Sequence, residues 1–90
     1  MKDGELRGLR NEIDQIDAAI LDQLARRVEI VRKLGQHKKA VGLPALEPER
    51  LRQVLEQRVG YGTTLGLRST FINELWTRIH NEALLVQESE

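Results

Sequence analysis

The feature that most constrains this chain is an apolar stripe that runs through its first third. Apolar residues recur three, four or seven positions apart, at Leu6, Leu9, Ile13, Ile16, Ile20, Leu24, Val31 and Leu34. This spacing is that of one face of an α-helix, and no proline occurs before Pro44. The pattern therefore predicts a first helix from about residue 5 to about residue 40.

A helix of this length does not fit inside a chain of 90 residues. At 1.5 Å per residue it is roughly 50 Å long, whereas a compact domain of this size has a radius of gyration of about 12 Å. Part of the apolar stripe would lie bare in a monomer, and a second copy that packs its own long helix there would cover it. We therefore expect a homodimer.

Two shorter helices are predicted to follow. Gly42 and Pro44 end the first helix, and Glu47-Pro48 begins the second, since proline and acidic residues both suit a first helical turn. We expect the second helix to end at a Gly60/Gly62 turn. The segment GYGTTLGLRST (60–70) is then a loop, with Ser69 or Thr70 as the cap of a third helix over about 70–88.

The apolar positions of these helices predict which faces turn inward. They are Leu51, Val54, Leu55 and Val59 in the second helix and Ile72, Leu75, Trp76, Ile79, Ala83 and Val86 in the third. No repeat or linker interrupts the pattern. The fold class is therefore all-α, with three helices in one domain over residues 1–90.

Charge and composition exclude several classes of function. Fourteen basic residues balance fourteen acidic ones, which argues against binding to nucleic acid or to an anionic membrane. No apolar run approaches the length of a membrane span, and the N-terminus MKDGELRGLR lacks a signal core. The expected location is the cytoplasm.

Sites for metals and nucleophilic catalysis are not predicted either. Without cysteine, the chain can form neither a disulfide nor a thiolate site. His37 and His80 have no companion at metal-ligand spacing, so we expect both at the surface or its rim. No glycine-rich phosphate loop and no Ser/His/Asp arrangement can be argued.

Several polar residues break the helical pattern instead. At 100° per residue, Arg27 lies about 40–60° from Leu24 and Val31, and Lys38 about 20° from Arg27. Gln87 lies about 20° from Trp76 on the third helix. Two further cations flank apolar faces: Arg10 lies beside the stripe, and Arg50 lies four residues before Val54.

Each of these residues has a structural explanation by itself. A long basic side chain can extend from the edge of an apolar face to water, Arg27 could pair with Asp17 or Glu82, and Gln87 could belong to a frayed end. Taken together, however, several cations converge where carboxylates are scarce, and a desolvated cation needs a partner. A small, multiply charged carboxylate or phosphate would supply the missing charge.

The order of these segments resembles the all-helical chorismate mutase family. The similarity lies in LRNEIDQID and LARRVEIVRKLGQHK on the first helix, EPER at the start of the second, and NEALLVQ near the end. The resemblance implies an intertwined homodimer of three-helix subunits. It also implies an isomerase that acts on a small-molecule dicarboxylate, chorismate or a close analogue, without a metal or cofactor.

The resemblance implies roles for the inward polar residues. Arg10 matches the family's first-helix arginine, which enters the active site of the other subunit, and Arg27 matches the mid-helix arginine that holds substrate carboxylates with it. Lys38 matches the lysine that contacts a carboxylate and the ether oxygen. Gln87 matches the glutamine that hydrogen-bonds the ether oxygen, so Arg27, Lys38 and Gln87 are the expected catalytic residues.

The second helix both matches the family pattern and departs from it. Arg50 matches the arginine of the acid-x-x-Arg motif, with Glu47 as the acid. The next residue is often Glu or Gln and contacts the C4 hydroxyl, but here it is Leu51. Ala83 stands where a serine is often found. Both substitutions remove polar groups from the expected substrate pocket.

The expected reaction is the Claisen rearrangement of chorismate to prephenate, which needs no nucleophile and no proton transfer. Catalysis would come from holding a dianion in a compact conformer and from donors aimed at the ether oxygen. Three alternatives stay open: a 4-amino-4-deoxychorismate mutase, an isochorismate–pyruvate lyase, and a helical dimerisation module without enzymatic activity.

Overall fold

The computed structural model of the chain describes residues 3–89 and contains three helices: α1 (Asp3–Val41), α2 (Pro48–Thr64) and α3 (Ser69–Glu88). No β-strand occurs within residues 3–89. The predicted all-α class with a long first helix is confirmed, and α1 has 39 residues. In the part of the chain described, no helix is both long and apolar enough to cross a membrane.

A glycine ends α1, as predicted. Gly42 has a φ of +76°, a conformation that costs glycine little and other residues more. Its N–H donates to the Lys39 carbonyl at 3.2 Å, and the Leu43 N–H donates to the Lys38 carbonyl at 2.8 Å. This pair of bonds is the Schellman motif, which satisfies carbonyls left without partners in the last helical turn.

The predicted end of α2 was wrong. The helix continues through Gly60 and Gly62 to Thr64, and the same Schellman motif is built on Gly66, whose φ is +84°. There the Gly66 N–H donates to the Thr63 carbonyl and the Leu67 N–H to the Gly62 carbonyl. The residues 60–64 that were expected to form a loop are therefore helical.

Packing explains why Gly62 does not break α2. An ideal Cβ at this position would lie 2.8 Å from Cγ1 of Ile72 on α3, shorter than ordinary contact between carbons, about 3.5–4.0 Å. The missing side chain thus lets α3 approach α2, and α2 and α3 are in extensive contact.

The expected cap of α3 was also wrong. Arg68 occupies the N-cap position with φ −72° and ψ 136°, and it makes no side-chain capping bond. Its carbonyl accepts the Ile72 N–H at 3.1 Å. Ser69 is the first helical residue, so neither Ser69 nor Thr70 serves as the cap.

The chain divides into two compact units, one ending at Ile30 and the other beginning at Val31. The second unit contains the buried apolar residues, which are Val31, Val54, Ile72, Ala83 and Val86. This confirms the inward positions of Val54 and of three residues of α3. Three expectations for α3 were too strong, since Leu75 is exposed and Trp76 and Ile79 are only half-buried.

The first unit is a stretch of α1 whose apolar side chains are exposed. The exposed residues include Leu6, Leu9, Ile13, Ile16 and Ile20. The expectation that part of the apolar stripe is bare in a single chain is therefore confirmed. The dimer that would cover it stays a prediction.

Candidate active site

Two polar side chains are buried among residues 3–89, and they line the same cavity. Lys38 is 6% exposed and Gln87 is 5% exposed. The cavity has a volume of about 260 Å³ and lies within the second unit. Its lining residues are Gly35, Lys38, Lys39, Leu43, Ala45, Gln87 and Glu88. The inward orientation predicted for Lys38 and Gln87 from helical angles is confirmed.

The segment between α1 and α2 holds the Lys38 ammonium. Nζ of Lys38 donates a hydrogen bond to the Ala45 carbonyl at 2.8 Å and lies 3.9 Å from Oε2 of Glu47. The second distance is that of an ion pair, and it is too long for a hydrogen bond. Because an ammonium has three N–H donors, Lys38 keeps donor capacity for a ligand in the cavity.

Gln87 contributes a buried carboxamide with an unmatched oxygen. Its Oε1 atom has no hydrogen-bond partner among the described residues. Leaving a buried polar atom unmatched costs about 1–3 kcal/mol, so such an atom calls for an explanation. A ligand with a hydrogen-bond donor would supply the missing partner for Oε1, and the N–H groups of the carboxamide can donate to an acceptor.

The other predicted site residues lie outside the lining of this cavity. In the first unit, Arg27 is half-buried and Arg10 is exposed. On α2, Arg50 is exposed and Leu51 is half-buried, while Ala83 is buried one turn before Gln87. The single chain thus brings Lys38 together with Gln87 in the cavity wall and with Glu47 in an ion pair. The roles of all these residues in catalysis and binding stay predictions.

An exposed arginine organises the charges at the start of α2. Arg52 donates hydrogen bonds to the carboxylates of Glu49 and Glu56. These interactions raise the pKa of Arg52 above its ordinary value, and the hydrogen bond with Glu49 contributes most. An arginine is protonated at neutral pH in any case, so this shift adds no pH dependence to stability near pH 7. Arg52 therefore engages the carboxylates of both Glu49 and Glu56.

The sequence analysis missed five of the residues that line the cavity, which are Gly35, Lys39, Leu43, Ala45 and Glu88. Ala45 contributes its backbone carbonyl. A backbone carbonyl has no sequence signal of its own. Gly35 did have one, because an isolated glycine inside a helix often marks a close approach of another element.

No metal site is apparent in the described part of the chain. Within residues 3–89, no three or more His, Asp or Glu side chains are arranged to hold a metal ion. His37 is exposed and His80 is half-buried, as expected for residues at the surface or its rim.

Comparison with proteins of known sequence gives named relatives. Over 79 residues the chain is 38% identical to the T-protein of Enterobacter agglomerans, a match that covers 88% of this chain and 21% of the T-protein. It is 30% identical over 84 residues to the 4-amino-4-deoxychorismate mutase of Streptomyces venezuelae, covering 93% of this chain and 82% of that one. The chain therefore spans about a fifth of the first relative and most of the second.

Comparison with solved structures finds the same fold. A conserved hypothetical protein from Pyrococcus furiosus matches with a TM-score of 0.77 and 31% identity, over 96% of this chain and 99% of that one. The family model of chorismate mutase type II matches residues 9–88. Together with the buried lysine and glutamine, these matches show that the chain belongs to the chorismate mutase type II family of isomerases.

Proposed function

We propose that this chain converts chorismate to prephenate by a unimolecular Claisen rearrangement. The observation that carries the proposal is the cavity in which the buried Lys38 ammonium and the buried Gln87 carboxamide meet. Both groups can donate hydrogen bonds, and both are withdrawn from water. This is the environment in which donors stabilise developing negative charge most effectively.

The reaction breaks the C–O bond of the ether while a C–C bond forms. Negative charge builds on the ether oxygen as the bond lengthens, and the ring side becomes electron-poor. Donors at Lys38 and Gln87 would strengthen as this charge grows, and one such donor is typically worth about 3–4 kcal/mol of barrier. No group on the protein has to gain or lose a proton.

Two arginines are proposed to hold the substrate carboxylates. Arg27 is half-buried on α1, and an arginine can bind a carboxylate through two parallel hydrogen bonds. The second arginine is proposed to be the partner subunit's Arg10, since Arg10 of this chain lies among the exposed apolar residues that a second copy would cover. Holding the dianion in its reactive conformer would lower the barrier further, in addition to the stabilisation of the ether oxygen.

The proposed unit of function is a homodimer of single chorismate mutase-like domains over residues 1–90. The exposed apolar residues of α1 supply the contact surface, because a contiguous apolar face of this length marks an interaction site. Each composite site would then take Lys38 and Gln87 from one chain and one arginine from the other.

A second candidate is the rearrangement of 4-amino-4-deoxychorismate. The relative from Streptomyces venezuelae is named for that activity, and the match covers 82% of its length. The half-buried Leu51 and the buried Ala83 support this candidate, because both stand where polar side chains are often found in the family. A pocket that makes fewer hydrogen bonds to the ring substituent discriminates less strongly between a hydroxyl and an amine.

Product analysis separates these candidates. The purified protein is incubated in parallel with chorismate, isochorismate and 4-amino-4-deoxychorismate, and the products are identified by chromatography and mass spectrometry. We expect prephenate from chorismate at the highest kcat/KM. Greater efficiency with the 4-amino analogue would replace the main proposal by the second, release of pyruvate from isochorismate would indicate a lyase, and inactivity with all three would favour a helical dimerisation module.

A further inference from the structure

In the cavity wall, α1 lies close to the backbone at the end of α3. Gly35 is buried, and an ideal Cβ built on it would lie 3.0 Å from Cα of Gln87 and 3.2 Å from its Cβ and Cγ. Ordinary contact between carbon atoms is about 3.5–4.0 Å. A side chain at position 35 would therefore be in tight contact with Gln87 and would displace it slightly.

The backbone conformation at position 35 does not require a glycine. Gly35 lies inside α1 and does not have a positive φ, so its backbone is one that alanine also adopts. Alanine is the better helix former by about 1 kcal/mol. The glycine consequently costs helix stability, and the gain that offsets this cost is the contact with Gln87.

The contact governs the two donors of the cavity together. Lys38 follows Gly35 by three residues, so both lie on the same face of α1, and both line the cavity with Gln87. Gln87 would have to move by a few tenths of an ångström to relieve the contact with an added Cβ. The distance between the ammonium and the carboxamide would change with it.

We propose that Gly35 is a positioning residue, which sets the placement of the Gln87 carboxamide relative to Lys38 through the absence of a side chain. This inference rests on the proposed function. Gly35 itself supplies no group that touches the substrate ether. Its effect passes entirely through Gln87, and that dependence makes it measurable.

The test is a double-mutant cycle with Gly35→Ala and Gln87→Ala, read as kcat and KM on the substrate that the wild type turns over. We expect Gly35→Ala to lower kcat about threefold to tenfold, because a misplacement of about 1 Å can cost about a hundredfold and the displacement here is smaller. KM should stay within about twofold, because carboxylate binding is left to other residues. In the Gln87→Ala background, Gly35→Ala should change kcat by no more than about twofold.

A matched control is Gly60→Ala. Gly60 also lies inside a helix, but nothing lies within 4 Å of a Cβ added there. This variant should raise Tm through helix propensity and leave kcat unchanged. It separates the effect of alanine on a helix from the effect of the contact with Gln87.

The possible outcomes are distinct. Full kcat in Gly35→Ala, or losses that multiply in the double variant, would overturn the inference while leaving the proposed function intact. A Gly35→Ala protein that is unfolded by circular dichroism would assign the contact to stability and would also overturn it. A wild type inactive on all three substrates would remove the proposed function first, and the inference with it.

Discussion

The two parts of helix α1 carry the same apolar periodicity but differ in what covers them. Up to Ile30, its apolar side chains are exposed or half-buried, and Ile16 is 59% exposed. Beyond that residue, α1 contributes Val31, Gly35 and Lys38 to a buried interior. A single helix thus has an end supported by its own chain and an end that its own chain leaves uncovered.

This difference teaches what an apolar stripe can and cannot tell. The periodicity identifies the face of a helix that avoids water, because removing apolar area from water is favourable whichever surface covers it. It does not identify the chain that provides the cover. The C-terminal part of α1 is covered within the chain, and we infer that a second copy covers the N-terminal part.

The largest expected effect tests the uncovered part. Ile16→Glu places a charge in the middle of the exposed apolar residues, and burying an unpaired carboxylate in an interface is costly. We expect this variant to be monomeric by sedimentation velocity and to lose activity. Ala18→Glu is the matched control, since position 18 points to the opposite side of the same helix and should leave the dimer intact. A folded, monomeric wild type at micromolar concentration would contradict the inference that a second copy covers the N-terminal part of α1.

Complementation sharpens the same test. Subunits with Arg10→Ala are mixed with subunits with Lys38→Ala, and we expect each variant to have low activity alone. In a heterodimer, one composite site would inherit both defects and the other neither, so mixing should restore activity. Failure to restore activity in verified heterodimers would show that Arg10 does not act across the subunit boundary.

The next effect concerns the covered part. Lys38→Ala should lower kcat by at least about 10²-fold, because it removes a charged donor whose interaction strengthens in the transition state. Lys33→Ala is the control, as Lys33 is an exposed lysine on the same helix and should be neutral. Steady-state kinetics measures kcat of both variants. Comparable losses of kcat in the two would count against the cavity as the active site.

The pH dependence of activity tests the other donor. Gln87 is neutral and needs no proton, so wild-type kcat should vary little across pH 6–8. Gln87→Glu can donate only when its carboxyl is protonated, so its activity should rise as pH falls, and a pH profile of kcat measures this. Gln87→Ala, which lacks the donor at every pH, should give a low and flat profile. A steep wild-type profile between pH 6 and 8 would contradict the assignment.

The smallest expected effect concerns recognition of the ring. Leu51→Glu should lower KM for chorismate or raise kcat/KM. The change should correspond to a free energy of about 1.5–3 kcal/mol, the value of a charge-assisted hydrogen bond. Gln53→Glu adds the same charge at an exposed position of α2 and should have no effect. If Leu51→Glu changes the kinetics of none of the three substrates, residue 51 does not contact the substrate in the assembled dimer.

The sequence by itself determined the helical class, the extent of α1 and the start of α2. These features depend on local chemistry: an apolar repeat of helical period, a glycine and a proline after Val41, and a proline in the first turn of α2. The inward orientation of Lys38 and Gln87 was also predictable, because the angle between two residues on one helix is set by the number of residues per turn.

The end of α2 could not be predicted from the local sequence. Gly60, Gly62 and Gly66 look alike in sequence, yet Gly66 alone among these three has a positive φ. Gly62 is helical and lies against Ile72. A glycine permits both a left-handed turn and a close approach, and only the neighbouring helix decides which of the two is used.

The tertiary structure likewise decided how the cavity is assembled. The hydrogen bond from Lys38 to the Ala45 carbonyl depends on the path of the segment between α1 and α2. The contact of Gly35 with Gln87 depends on the distance between α1 and α3. Both join residues from different elements, and side-chain periodicity carries no information about the separation of elements. Local sequence sets the angles on each helix, whereas packing between helices sets the distances on which binding and catalysis depend.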